Sequence, residues 1–139
     1  MIEYNVRLGD PETEAILPRI KTDLFELFQA LHDGELDQVN LEVDPRTAAT
    51  IMLVAGGYPG EYQKGQVISG LEAVKDVHVF HAGTSRNQQA QVVANGGRVI
   101  ALTALGDDLA AALATANVAA EKITWQDRYY RRDIGFDLK

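Results

Sequence analysis

Polar and apolar residues alternate along the first eight positions of the chain. The apolar side chains are Ile2, Tyr4, Val6 and Leu8. The polar side chains between them are Glu3, Asn5 and Arg7. Successive side chains of a strand point to opposite faces, so this alternation predicts a half-buried strand over residues 2–8. Pro11 should end the strand, because proline cannot donate to a ladder.

Helical spacing follows the predicted strand. A short helical turn is expected from Glu12 to Ile16, before Pro18. Residues 23–32 are predicted to form a helix that Thr22 or Asp23 caps at its start and Gly34 ends in a left-handed conformation. Its apolar stripe consists of Leu24, Leu27, Phe28 and Leu31.

The pattern changes beyond residue 46. Residues 47–55 are a continuous apolar run that predicts a strand buried on both faces, and residues 77–82 predict another. Residues 91–94 and 98–105 flank Asn95-Gly96-Gly97, so they are expected to pair as a hairpin. Asp107 is expected to cap a last helix. The apolar stripe of that helix is Leu109, Ala112, Leu113, Ala116 and Ala120.

These elements predict an α+β protein in which a small carboxy-terminal sheet packs with helices. Residues 33–45 are acidic and poor in aromatics, which is typical of a connector, so a boundary is expected there. The amino-terminal part contributes one strand and one or two helices. Its strand must find a neighbour, either among the later strands or in further chain.

Composition narrows the class of protein. The chain has 139 residues, of which 46% are hydrophobic and 24% charged, and it has no cysteine. No apolar run is long enough for a membrane span, no secretory signal is recognisable at the start, and a cytoplasmic protein is expected. The formal charge of -7 argues against nucleic acid as a partner.

The polar face of the first strand is a candidate metal and phosphate site. Residues two apart on a strand point the same way, so Glu3 and Asn5 could share one ion. Mg²⁺ prefers oxygen ligands and usually takes few of them from protein. Arg7, on the same face, could neutralise a phosphoryl oxygen. The alternative is a solvent face on an edge strand, where Glu3 and Arg7 form a weak surface pair.

Other candidates have simpler explanations beside the functional one. His78 and His81 should point to opposite strand faces, which argues against a shared zinc ion. His81 could instead contact substrate or bond nearby backbone. The Asn95–Arg98 turn could cradle phosphate or could only turn the chain. In the tail, we expect Trp125, Tyr129 and Tyr130 to pack together and Arg131, Arg132 and Asp133 to form ion pairs.

Six sequence blocks follow one another along nearly the whole chain: EYNVRLGDPETE (3–14), LPRIKTDL (17–24), GGYPGEYQKG (56–65), VFHAGT (79–84), NGGRVIALTALGDDLAAA (95–112) and YYRRDIG (129–135). In this order they resemble the family of phosphoribosylamine-glycine ligases, also called glycinamide ribonucleotide synthetases. The resemblance implies that residues 1–44 are the end of an ATP-grasp domain and that residues 45–139 are the family's carboxy-terminal domain.

The resemblance also implies an activity. Ligases of this family join glycine to 5-phosphoribosylamine with ATP, through a glycyl phosphate, and yield glycinamide ribonucleotide, ADP and phosphate in purine biosynthesis. It implies that Glu3 and Asn5 bind Mg²⁺ or Mn²⁺ and that Arg7 faces the reacting phosphate. It places Gly9, Asp10 and Glu12 near the amino-acid or amine substrate.

The family pattern has further regions before its EYNVRLGDPETE motif, including those that hold ATP, whereas here the motif begins at residue 3. The chain therefore resembles the carboxy-terminal third of the enzyme and is expected to be inactive alone. Two other readings stay open. The chain could be a non-catalytic module that binds a nucleotide or phosphorylated ligand, or a module that associates with other chains through its first strand.

Overall fold

The computed structural model describes residues 4–138. Three α-helices and six strands follow one another in this part of the chain. The helices are α1 (Glu12–Ile16), α2 (Leu24–Asp33) and α3 (Leu109–Lys122). The strands are β1 (Thr47–Val54), β2 (Gln66–Val67), β3 (His78–His81), β4 (Thr84–Arg86), β5 (Val92–Ala94) and β6 (Arg98–Gly106). The predicted α+β class is confirmed.

The strands form two small antiparallel sheets. Their orders are β1-β6-β3 and β2-β5-β4. The central strand β6 pairs with β1 along its length, and α3 packs on this pair. The core lies between them: Ile51 and Leu53 of β1 and Ala116 and Ala120 of α3 are buried. The small alanine side chains of α3 let the helix approach the sheet closely.

The expected hairpin between residues 91–94 and 98–105 is wrong, because β5 and β6 lie in different sheets. β3 instead pairs antiparallel with β6, and β4 pairs antiparallel with β5. The chain bends between the two pairings. The bend lies where the amides of Asn95 and Gly96 both donate to the carbonyl oxygen of Gly83 at 2.8 Å. A Cβ on Gly83 would lie 2.7 Å from the Cα of Gly96, so the glycines serve a close crossing of two backbones.

The predicted strand over residues 2–8 is not found in the described residues 4–8, which belong to no strand. Tyr4 and Val6, expected on its buried face, are exposed. A strand needs a neighbour for its ladder, and the described residues supply none here. Ile2 and Glu3 lie outside the described residues.

Local hydrogen bonds and a left-handed glycine determine both ends of α2 and the start of α3. The Asp23 carboxylate accepts a hydrogen bond from the Phe25 amide at 2.7 Å, and Gly34 adopts a φ of 75° at the end of α2. The expected cap of α3 is wrong by one residue. Asp108 rather than Asp107 caps this helix, and its carboxylate accepts from the Ala111 amide at 2.8 Å.

The chain before β1 has almost no buried residue. Between residues 4 and 43 only Gly9 is buried, whereas every buried hydrophobic residue of the described chain lies at Ala49 or beyond. Most of the exposed large apolar side chains also lie in this first part, including Phe25 and Phe28 of α2, at 74% and 64% exposure. Among residues 4–138, no helix is both long and apolar enough to cross a membrane.

Candidate functional site

The loop from Gly9 to Glu14, which includes the first residues of α1, contains the three residues that the resemblance implies to lie near substrate, Gly9, Asp10 and Glu12. The Gly9 amide donates to the Glu12 carboxylate at 3.0 Å. The Thr13 amide and hydroxyl both donate to the Gly9 carbonyl oxygen, at 3.0 and 2.6 Å. A Cβ on Gly9 would meet only the end of the Glu12 side chain, so a larger residue here would displace that carboxylate from its bond to the Gly9 amide.

Arg98 connects this loop to the carboxy-terminal sheet. Its Nη1 donates to the Asp10 carbonyl oxygen at 3.0 Å, and its Nη2 lies 3.2 Å from the Asp10 carboxylate. The guanidinium thus joins two residues that are 88 positions apart. The anion-cradle reading of residues 95–98 has little support, because the Asn95 and Gly96 amides already donate to Gly83.

A second link lies behind the loop, on the face of the sheet that α1 covers, opposite the α3 core. Thr103 of β6 is 0% exposed, and its hydroxyl donates to the Glu14 carbonyl oxygen at 2.9 Å. The hydroxyl of Thr50, the register partner of Thr103 on β1, lies 2.7 Å from the Thr103 hydroxyl. Since Thr103 has one proton and gives it to Glu14, Thr50 must be the donor in that pair.

A cavity of about 280 Å³ lies beside Arg98. Its floor is apolar and includes Met52 and Ile134, while Tyr58, Tyr129 and Arg131 also line it. Tyr58 comes from the GGYPGEYQKG block, Tyr129, Arg131 and Ile134 come from the YYRRDIG block, and Arg98 comes from the NGGRVIALTALGDDLAAA block. The Tyr58 ring packs so closely on Gly97 that a Cβ there would overlap it. The fold therefore gathers three of the resembling blocks around one space.

The expected ion pairs of the tail are present. Arg131 contacts the Asp133 carboxylate at 3.0 Å, and Arg132 contacts Glu121 of α3 at 3.3 Å. The hydrogen bond from Arg131 lowers the pKa of Asp133, and Asp133 raises the pKa of Arg131. Arg132 also lies over the ring of the buried Tyr130.

The residues predicted to bind metal and phosphate, Glu3, Asn5 and Arg7, lie before the loop from Gly9 to Glu14. Glu3 is outside the described residues. Asn5 and Arg7 lie in the exposed segment before the loop, where Arg7 Nη1 donates to the Leu8 carbonyl oxygen at 3.0 Å. Carboxylate and amide oxygens are donors that suit Mg²⁺. In the described part of the chain, no three His, Asp or Glu side chains are grouped so as to hold a metal ion. These assignments stay predictions.

The histidines do not form a site with each other. His81 Nδ1 lies 3.0 Å from the Thr84 hydroxyl, so its partner is a nearby side chain rather than the expected backbone group. The sequence reading assigned no structural partner to Arg98 and none to Thr103. The one available signal for Thr103 was a hydroxyl inside an otherwise apolar strand, since such a group needs a partner when buried.

Comparison with known proteins places this geometry in a family. The family model for the phosphoribosylglycinamide synthetase C domain matches residues 48–137. The phosphoribosylamine-glycine ligase of Vibrio cholerae is 51% identical over 138 residues, and that of Neisseria meningitidis serogroup A is 48% identical over 134 residues. These matches cover 98% and 96% of the chain.

A solved structure is similar over the same span. The crystal structure of phosphoribosylamine-glycine ligase from Thermotoga maritima matches with a TM-score of 0.82 and 33% identity, and the match covers 96% of this chain. The chain spans only 32% of the length of that protein and of the two bacterial relatives. The resemblance seen in the sequence blocks is thus confirmed, and the chain belongs to the phosphoribosylglycinamide synthetase C domain family.

Proposed function

We propose that the chain is the carboxy-terminal part of an ATP-dependent ligase that joins glycine to 5-phosphoribosylamine. The observation that carries the proposal is its identity of 51% with a relative named as that ligase, over 98% of the chain. The gathering of three resembling blocks at the cavity beside Arg98 supports it. The chain covers 32% of that relative, so we expect it to be inactive without the remaining two thirds.

The residues would act mainly by position and charge. The glycine carboxylate would attack the γ-phosphorus of ATP and release ADP, and the amine nitrogen of phosphoribosylamine would then displace phosphate from the glycyl phosphate. Arg7 would neutralise the transferred phosphoryl group. Gly9, Asp10 and Glu12 would orient the amino-acid or amine substrate. Mg²⁺ or Mn²⁺, held by Glu3 and Asn5, would neutralise ATP oxygens.

We propose the boundary at residues 44–45, with residues 1–44 as the end of an ATP-grasp domain. The near absence of buried residues between 4 and 43 supports it. A segment that buries so little apolar surface has no core of its own. The exposed face of α2, with Phe25 and Phe28, would then pack on the rest of that domain.

A chimera tests the activity. The amino-terminal two thirds of the Vibrio cholerae ligase are fused to residues 1–139, and ADP release is measured with glycine, phosphoribosylamine and Mg-ATP. We expect turnover within about tenfold of the parent enzyme, and none from the 139-residue chain. Glu3→Gln should reduce turnover at limiting Mg²⁺. A folded, monodisperse chimera without turnover would refute the proposal.

The exposed apolar surface also favours a second candidate, a module that associates with other chains. Light scattering on the isolated chain distinguishes the two. A concentration-dependent mass above the monomer, together with an inactive chimera, would favour association as the function. An active chimera would make the same surface part of the ligase.

A further inference from the structure

The loop from Gly9 to Glu14 is closed by its own hydrogen bonds but not placed by them. The bonds from Gly9 to Glu12 and from Thr13 to Gly9 span only three or four residues. Such local bonds fix the shape of a loop. They do not determine where the loop lies relative to the cavity or the sheet, so its placement depends on contacts with other elements.

Two hydrogen-bonded contacts from one strand contribute to that placement, beside the packing of α1 on β1. Arg98 opens β6 and reaches Asp10, while Thr103 lies further along β6 and reaches Glu14. β6 is paired on both sides, with β1 and with β3. A central strand of a sheet is among the last parts of a domain to open. The two ends of the loop are therefore attached to a rigid element of the carboxy-terminal region.

The contact of Arg98 is suited to orient as well as to hold. Its two terminal nitrogens reach two different oxygens of Asp10, one on the backbone and one on the side chain. A planar guanidinium that makes two contacts fixes direction, which a single ammonium contact does not. The same guanidinium borders the cavity that Tyr58 and Tyr129 line.

We propose that Arg98 is a positioning residue, which holds Asp10 and the loop around it in place for the amino-acid or amine substrate. This inference rests on the proposed function for the identity of the substrate, but the placement of the loop can be tested without it. Arg98 acts through Asp10 and the loop. It links the sheet of residues 45–139 to the motif of residues 1–44.

The first experiment measures amide hydrogen exchange in the 139-residue chain by mass spectrometry. Arg98→Met should speed exchange in peptides covering residues 9–16 by about tenfold, because the charged hydrogen bonds to Asp10 are lost. Exchange in β6 should stay slow. Arg98→Lys should give an intermediate effect. Arg132→Met is the matched control, since it removes another exposed guanidinium with a carboxylate partner, Glu121.

Two results would overturn the placement. In the first, the amides of residues 9–16 exchange at the same rate in Arg98→Met, in Arg132→Met and in the wild type. That result would show that Arg98 does not hold the loop in place. Exchange that rises equally in the loop and in β6 would show that Arg98 stabilises the whole sheet instead. Neither result depends on ligase activity, so the failure of the proposed function leaves this experiment decisive.

The second experiment uses the chimera and separates binding from turnover. Arg98→Met should raise the KM for glycine or phosphoribosylamine by about tenfold, with the KM for ATP unchanged, and Arg98→Lys should restore part of the loss. A fall in kcat with both substrate KM values unchanged would indicate lost folded enzyme and would contradict the substrate role. A wild-type chimera without activity would refute the proposed function, and the exchange experiment would then decide the placement.

Discussion

Replacing Thr103 by valine should destabilise the protein, because the substitution removes a buried hydroxyl group from the otherwise apolar strand β6. Thr103 is fully buried, and its hydroxyl donates to the Glu14 carbonyl oxygen while it accepts from Thr50. Valine has nearly the same shape, so the cavity term stays small. The loss is chemical: the Glu14 carbonyl loses its donor and Thr50 loses its acceptor.

The expected magnitude follows from those two groups. A hydrogen bond contributes about 1 kcal/mol net, and a buried group left without a partner costs about 1–3 kcal/mol. Because Thr50 is only partly buried and can reach water, we expect Thr103→Val to lower the free energy of unfolding by about 2 kcal/mol. Thr50→Val leaves the bond to Glu14 intact and should cost about 1 kcal/mol.

Urea unfolding followed by circular dichroism measures both variants and their combination. Because the hydroxyls act in series, the double variant should cost no more than Thr103→Val alone, and so less than the two single losses together. Thr47→Val, at the start of β1, controls for removing a threonine hydroxyl elsewhere on the strand. A loss of less than about 0.5 kcal/mol in Thr103→Val, or additive losses in the double variant, would refute the series of hydroxyls.

Two further predictions concern the part of the chain before β1. The side-chain hydrogen bond from Arg46 holds the pKa of Asp44 well below its usual range, so this carboxylate stabilises the fold above about pH 4 and loses its effect as the pH falls further. Asp44→Asn should therefore lower Tm at pH 7, by a difference that shrinks below pH 4; a pH-independent difference would contradict this. If the isolated chain self-associates through α2, Phe25→Glu with Phe28→Glu should reduce that self-association in analytical ultracentrifugation, since each side chain contributes about 1.5–3 kcal/mol on full burial. Gln29→Glu adds a charge to the same helix as the control, and an equal reduction there would contradict the apolar explanation.

The elements that sequence pattern predicts well are those whose causes are local. The cap at Asp23, the left-handed Gly34 and the apolar run of β1 lie within a few residues of what they determine. The failure at residues 91–105 has a different cause. Asn95-Gly96-Gly97 is typical of a tight turn, but Gly96 allows a close backbone crossing with Gly83, which lies 13 residues earlier. No local pattern distinguishes these two uses of glycine.

The candidate site also has one part with local causes and one part with long-range causes. The resemblance is sufficient to group Gly9, Asp10 and Glu12 into one candidate loop, and the bond from the Gly9 amide to the Glu12 carboxylate is local because it spans only three residues. Its placement could not be predicted, because the contact between Asp10 and Arg98 joins positions 88 residues apart. Long-range pairs of this kind are set by the sheet topology, which alternation and helical spacing do not specify.

The absence of a strand at residues 4–8 and the contact of Arg98 with Asp10 both depend on partners that lie far away in the sequence. Alternation marks residues that suit a strand, but a ladder also requires a neighbouring backbone, and the described residues offer none to Tyr4 or Val6. The loop that follows is instead held by side chains of β6. If residues 1–44 complete an ATP-grasp domain, the sheet of residues 45–139 would keep the substrate loop in register with that domain. The strength of the contact between Arg98 and Asp10 would then affect substrate binding more than it affects the stability of either part.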